Sequence, residues 1–161
     1  MSADLNYCPR CAAPLVSRSI GGAGRRVCSV DRCGFVFWNN PVPVVAGIVE
    51  TPEGVVLVRN KGWPEKMFGL VTGYLEAGET PEQGMLREVA EEVGLDGDIA
   101  RFLGNYPFFR ANQLLVAFHV RAEGKPVVGE ELAELRVIPV ERLRPWDFGT
   151  GPAVADWLAA R

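Results

Sequence analysis

The sequence of 161 residues has no apolar run near the roughly 18 residues of a membrane-spanning helix, and no repeat or low-complexity tract. A soluble chain is expected, without a helical membrane anchor or a solenoid. Cysteine is absent after Cys33, so no cysteine nucleophile can operate in the rest of the chain. The single histidine, His119, sits in the apolar stretch LLVAFHV, where a packed or surface imidazole is expected rather than a catalyst. An excess of positive charge is also missing: 17 Lys and Arg against 20 Asp and Glu give −3, with a pI near 5.3. That balance argues against broad nucleic-acid binding through counterion release, and Arg10, Arg18, Arg25 and Arg26 are read as solubilising surface. No signal-peptide pattern occurs from Met1 to Asn6, which gives a cytoplasmic, reducing location as the expectation.

What the chain does have is a crowd of carboxylates. Gly73 to Leu95 reads GYLEAGETPEQGMLREVAEEVGL. Thr80 suits a helix N-cap, Pro81 the first helical position and Gln83 the third position of a capping box, while Gly94 suits the stop. At about 100° per residue, Leu86, Val89, Ala90 and Val93 form the expected buried stripe, with Glu88, Glu91 and Glu92 on the opposite side. Like charges three or four residues apart destabilise a helix by roughly 0.2–0.5 kcal/mol per pair, and Arg87 is the one nearby cation. Carboxylate oxygens in such a cluster suit Mg²⁺ or Mn²⁺, which commonly share their coordination with substrate phosphates.

Gly73, Glu79, Arg87, Glu88, Val89, Glu91, Glu92, Gly94 and Leu95 match the box of the Nudix hydrolases at all nine of its defined positions, and the segment resembles that superfamily. The resemblance implies hydrolysis of a nucleoside diphosphate linked to another moiety. Glu88, Glu91 and Glu92 would be ligands of the divalent metal, and Gly73 would allow a tight turn with its carbonyl near that metal. Glu79 would hold Arg87, and one of the glutamates or a neighbouring carboxylate would activate water. Glu131, in the segment GEELAE, is a candidate further ligand or base, and equally a solvated loop acid.

All four cysteines lie near the N-terminus, Cys8 and Cys11, then Cys28 and Cys33. Two short-spaced pairs resemble a zinc ribbon, with four thiolates closing a structural Zn²⁺ site, although the second gap is wider than usual; disulfides are the alternative. Residues 1–40 are read as the ribbon and 41–161 as the Nudix domain. Within the latter, Pro43 to Glu50 and Val55 to Arg59 read as a hairpin around Pro52-Glu53-Gly54. Ile99 to Phe109 and Gln113 to Arg121 read as a second pair, Leu135 to Pro139 as a further strand, and Pro152 to Ala160 as a helix with Trp157 and Leu158 inward. The expected class is α/β (α+β), an α/β/α sandwich around a mixed sheet, as the resemblance also implies.

A ribbon followed by a Nudix domain resembles the NADH pyrophosphatase branch. That branch carries a marker of the form SQPWPFPxS, of which the stretch from Asn105 to Gln113 retains only Pro107. Nicotinamide preference is therefore not carried over. Tyr106 and Phe108 are candidates to stack on a base and Arg110 to meet a phosphate; Phe68 and Thr72 are candidate pocket residues. Expected partners are a small-molecule dinucleotide or nucleoside diphosphate derivative (NADH, ADP-ribose or FAD-like) and a second copy of the chain in a homodimer. Neither membrane nor nucleic acid is expected. Two other readings are a Nudix isomerase, disfavoured because no cysteine follows Cys33, and a non-catalytic nucleotide sensor whose ribbon binds a partner or nucleic acid.

Overall fold

The computed structural model describes residues 5–161, which divide into two compact units between Pro41 and Val42. Residues 1–4, part of the segment read for a leader, lie outside the described ones. In the first unit, β1 (Leu15–Ile20) pairs antiparallel with β2 (Ala23–Cys28), which pairs with β3 (Val36–Phe37). Gly21 and Gly22 both have positive φ, as the two-residue turn of a right-twisted hairpin demands. The small core gathers Cys8, Leu15 and Cys28, with Leu5, Val30 and Phe35 packed against them.

The second unit is built on a mixed sheet. Its strands are β4 (Val42–Thr51), β5 (Gly54–Asn60), β6 (Val71–Tyr74), β7 (Gly97–Phe108), β8 (Gln113–Ala122) and β9 (Leu132–Ile138), in the order β7-β8-β4-β5-β9 with β6 also on β4. β4 and β8 run parallel, and the other pairs are antiparallel. Helix α1 (Pro81–Val93) packs Met85, Val89 and Val93 against Val45 and Val49, on one face. Helix α2 (Gly151–Ala159) packs Val154 and Trp157 against Ile48 and Val55, on the other. Alternating residues of one strand thus serve two helices, which gives the expected three layers. Among the described residues, no helix is long and apolar enough to cross a membrane.

The expected β4–β5 hairpin forms but separates early. Only Glu50↔Val55 and Thr51↔Gly54 pair, after which β4 continues along β6 and β5 along β9. Strand β6, which periodicity missed because it is four residues long, fills the resulting wedge.

Candidate active site

Helix α1 starts where its caps dictate. Thr80 Oγ1 accepts from the Gln83 N–H at 3.3 Å, Gln83 Oε1 accepts from the Thr80 N–H at 2.8 Å, and Gly94 ends the helix at φ 64°. The buried stripe differs from the expected one. Met85, Val89 and Val93 are buried while Ala90 is exposed, and Glu92 is itself only 6% exposed. The glutamates therefore flank the apolar stripe instead of opposing it: Glu92 is inside, Glu88 half-buried and Glu91 outside. Burying each large apolar side chain contributes about 1.5–3 kcal/mol, against roughly 0.2–0.5 kcal/mol per like-charge pair, so packing holds the helix despite its acids.

Arg87 is shared among several acceptors. Its Nε and Nη2 donate to the two oxygens of Glu79 at 3.1 and 2.8 Å, and Nη1 donates to Glu88 at 2.7 Å and Glu91 at 3.1 Å. Nη2 also donates to the Tyr74 carbonyl. The hydrogen bonds to Glu79, aided by Glu88 and Glu91, hold the guanidinium pKa above its ordinary value against the effect of burial, and Arg87 in turn holds the Glu79 carboxyl below the usual range. One cation serves three carboxylates here, and Glu92 gets none. Burial first and then the Glu88 charge push Glu92 up to about 8, with Glu131 adding to the rise and a backbone hydrogen bond from Thr72 opposing it. Burial likewise raises Glu88, only partly offset by Arg87. Glu92 Oε2 is buried without any hydrogen-bond partner. An orphaned oxygen in an under-neutralised carboxylate group is what a divalent cation would satisfy, so the donors fit hard-metal coordination.

Gly73 is needed for a reason other than the expected turn. It lies inside β6, opposite Val45, and a Cβ there would fall 1.8 Å from the Glu88 carboxyl carbon. The absent side chain is the space that Glu88 occupies. Gly129 has a similar part: its N–H donates to the Glu92 carbonyl at 2.8 Å, and a Cβ would lie 2.5 Å from the Glu91 carbonyl oxygen. With the Val127 N–H on the Val93 carbonyl, it satisfies free carbonyls at the end of α1 and draws the following loop onto the helix. The Lys61 N–H donates to the Glu131 carbonyl from the other side, which brings Glu131 to the rim of the acidic group.

These carboxylates form one wall of a cleft of about 900 Å³. Phe68, Thr72 and Phe108 line it, as do Glu88, Glu91, Glu92, Glu131, Arg87 and Gly73. The Arg136 guanidinium lies 4.1 Å over the Phe68 ring. Tyr106 and Arg110, the other two substrate candidates, do not line the cleft. Tyr106 faces the same side of β7 as Phe108, but α2 covers that part of the sheet, and the Tyr106 hydroxyl donates to Asp156 Oδ2 at 2.7 Å. Arg110 is exposed on a short turn outside the lining. Sequence reasoning missed Tyr74, Trp146 and Phe148, which also line the cleft. A signal was present for the last two: aromatics in a Pro- and Gly-bounded loop, RPWDFGTG, have little reason to be there unless something packs on them. His119 is packed away from the cleft, its Nε2 2.7 Å from Glu50 and its ring edge-on to Trp157.

The four cysteines of the first unit are free, and their sulfurs all lie within 4.8 Å of one another, with Cys8 and Cys33 at 3.6 Å and Cys11 and Cys28 at 3.5 Å. Metal–sulfur bonds of about 2.3 Å in a tetrahedron separate sulfurs by about 3.8 Å, so this cluster can hold a metal ion. Backbone N–H groups of Arg10 and Val30 donate to Cys8 and Cys28. The wide second gap is taken up by a 3-10 turn, Asp31–Cys33, which ends at left-handed Gly34. Burial pushes the Cys28 thiol up to about 12, whereas at Cys8 it is outweighed by the Arg10 and Cys11 N–H groups and neighbouring thiols, which bring that thiol down to about 7.

A sequence model of the NUDIX domain matches residues 40–158. The chain is 40% identical over 117 residues to a protein of Mycobacterium bovis named NAD-capped RNA hydrolase NudC, covering 73% of this chain and 37% of that one. It is 27% identical over 131 residues to the human mitochondrial protein named NAD(P)H pyrophosphatase NUDT13, covering 80% of this chain and 36% of that one. The chain thus spans little more than a third of the length of these curated relatives. Its fold is similar to that of a NUDIX hydrolase from Nitrosomonas europaea, with a TM-score of 0.79 at 23% identity over 96% of this chain and 89% of that one. The match runs through the capped glutamate helix, the loop drawn onto it and the cleft they enclose, and the chain belongs to the Nudix family.

Proposed function

We propose that this protein is a Mg²⁺- or Mn²⁺-dependent pyrophosphohydrolase that cleaves the diphosphate of a dinucleotide-like substrate such as NADH, ADP-ribose or an FAD-type molecule. The observation that carries the reading is Glu92, a buried carboxylate with an unpaired oxygen and no cation of its own, set beside Glu88 and Glu131 in a cleft that Phe68, Tyr74, Phe108 and Phe148 also line. Glu88, Glu91 and Glu92, with the Gly73 carbonyl, would hold the metal, which when bound neutralises the diphosphate and makes phosphorus more open to attack.

The chain's own residues do the rest. Arg87, fixed by Glu79, orients Glu88 and Glu91. Glu131, at the rim of the cleft, takes the proton as a water oxygen bonds to one phosphorus and the bridging P–O bond breaks, leaving two phosphate monoesters. Phe68, Phe108, Tyr74 and Phe148 offer ring faces to the bases, and Thr72 a hydroxyl. The ribbon cysteines Cys8, Cys11, Cys28 and Cys33 hold a structural Zn²⁺ in a reducing compartment, the cytoplasm, where thiols persist. Purified protein incubated with NADH, NAD, ADP-ribose, FAD, CoA and diadenosine polyphosphates, with Mg²⁺ or Mn²⁺, checks the reading by chromatography of the products. Monophosphates from at least one dinucleotide are expected. Inertness toward all of them with either metal would rule the reading out.

A further inference from the structure

Among the described residues, the buried side-chain oxygens without a hydrogen-bond partner are Glu92 Oε2 and Asn60 Oδ1, and both residues line the cleft. The ion proposed for the glutamates answers for the first. Asn60 is uncharged and belongs to the stretch of wall that Trp63, Met67 and Phe68 also form. An unpaired buried amide oxygen disfavours the empty protein, and a leucine of nearly the same volume would avoid that penalty. Folding gives no reason for an asparagine there, so the reason is sought in what the cleft holds.

The backbone fixes Asn60 beside an aromatic platform. It ends β5 where the register against β9 slips, so that Arg59 pairs with Glu134 but Asn60 with Leu132. The Trp63 N–H donates to the Asn60 carbonyl at 3.1 Å, and the Lys61 N–H to the Glu131 carbonyl at 3.0 Å. On the other edge of β5, two hydrogen bonds of 2.9 Å join Val58 and Gly69, an antiparallel bridge that sets Met67 and Phe68 alongside Asn60 and Arg59. The Phe68 ring is fixed as well. Arg136, which does not line the cleft, lies 4.1 Å over it, and Glu134 holds Arg136 at 2.8 Å and Arg59 at 3.3 Å. One ring face is thus taken from outside the cleft, and the surface left for a ligand is the one inside it.

From this geometry we infer that Asn60 is a specificity-determining residue: its amide oxygen accepts from the conjugated –NH₂ group of a base that lies on Phe68, either the amino group of adenine or the carboxamide of nicotinamide. The inference rests on the hydrolytic reading of the cleft and narrows its substrates to dinucleotides that carry such a group. A carbonyl or a methyl in that place would leave Oδ1 unpaired, which is how a buried acceptor rejects the wrong ligand.

The test compares NAD with nicotinamide hypoxanthine dinucleotide, whose purine has a carbonyl in place of the amino group, and with acetylpyridine adenine dinucleotide, whose side group ends in methyl. With the intact chain and Mg²⁺, kcat/KM for NAD should exceed that for one analogue by about tenfold, the yield of one neutral hydrogen bond. Which analogue loses separates adenine from nicotinamide, and either outcome upholds the assignment. Asn60→Leu should bring the three substrates within about twofold of one another, with the loss for NAD falling on KM and a melting temperature no lower than the parent's. Asn60→Asp keeps an acceptor and should keep the preference. Asn60→Ser, too short to reach, gives the same reading as leucine should the leucine variant fail to fold. Calorimetric titration of the three dinucleotides with Ca²⁺ in place of Mg²⁺ reads the preference without requiring turnover. Preferential binding without hydrolysis would overturn the hydrolytic reading and keep the role of Asn60. Hydrolysis or binding indifferent to both –NH₂ groups, a preference that survives in Asn60→Leu, or no binding of any of the three would overturn the inference.

Discussion

The two units use charge in opposite ways. In the larger one, Arg59, Arg87, Arg136 and Arg161 are fixed against glutamates, and the crowded carboxylates of α1 exceed what Arg87 can neutralise. In the smaller one, arginines mostly lack carboxylate partners among the described residues, and two lie over aromatic rings, Arg10 on Phe35 and Arg25 on Trp38. The difference shows that a chain's net charge is a poor guide to partners when its units differ in sign. An average of −3 describes neither unit: residues 1–41 carry five arginines against two aspartates, net +3, and the remaining 120 carry 12 basic and 18 acidic residues, net −6.

The largest expected effect lies in the acidic unit. Glu92→Gln removes one charge while preserving shape, and turnover of the accepted dinucleotide should fall by about 10²-fold or more. The metal-free variant should melt no lower than the parent, because a buried like-charge repulsion has been relieved. Retained turnover would remove Glu92 from the proposed ligands, and a lower melting temperature would show that its charge is structurally compensated.

An intermediate effect is expected in the ribbon. Its core is a few side chains around the cysteines, so removal of the Zn²⁺ proposed there should lower the melting temperature by about 5 °C or more, before the chemical step suffers. An unchanged melting temperature after metal analysis confirms the loss of zinc would contradict a structural role for that ion.

The smallest effect tests a balanced charge group, Glu50 with His119 and Arg161. Burial lowers the His119 pKa below 6.5, and Arg121 and Arg161 add to this although Glu50 opposes it. Unfolded chains therefore take up the proton first, and stability should decline as pH falls below 6.5. At Glu50, burial is outweighed by Arg161 and His119, which lower its pKa below 4.5, so its contribution persists until more acid solution and is then lost. His119→Gln keeps a donor for Glu50 and should flatten the melting curve between pH 6.5 and about 5. An equally steep curve in that variant would assign the acid sensitivity to other groups.

Local chemistry was legible in the sequence where neighbours along the chain decide it. The capping box at Thr80 and Gln83, the stop at Gly94 and the close spacing of Cys8 with Cys11 all depend on short separations. Less legible was anything set by packing between distant segments. Ala90 and Glu92 differ from the helical-wheel expectation because α1 meets the sheet through Met85, Val89 and Val93. Tyr106 was drawn from the cleft by a helix 50 residues later in the chain. Four-residue β6 has too few positions to show an alternation, yet it carries both Thr72 and Gly73.

By itself, the order of residues determined that a capped helix would carry three glutamates, since turn and helix geometry leave little freedom over so few bonds, and it supplied four cysteines for the β1–β2 hairpin to gather. Tertiary structure alone decided which carboxylate would be buried without a counter-charge, which aromatics would face the cleft and which arginines would stand opposite each other. Those outcomes depend on strand register and on close approach at Gly73 and Gly129, and such contacts exist only once remote segments have packed.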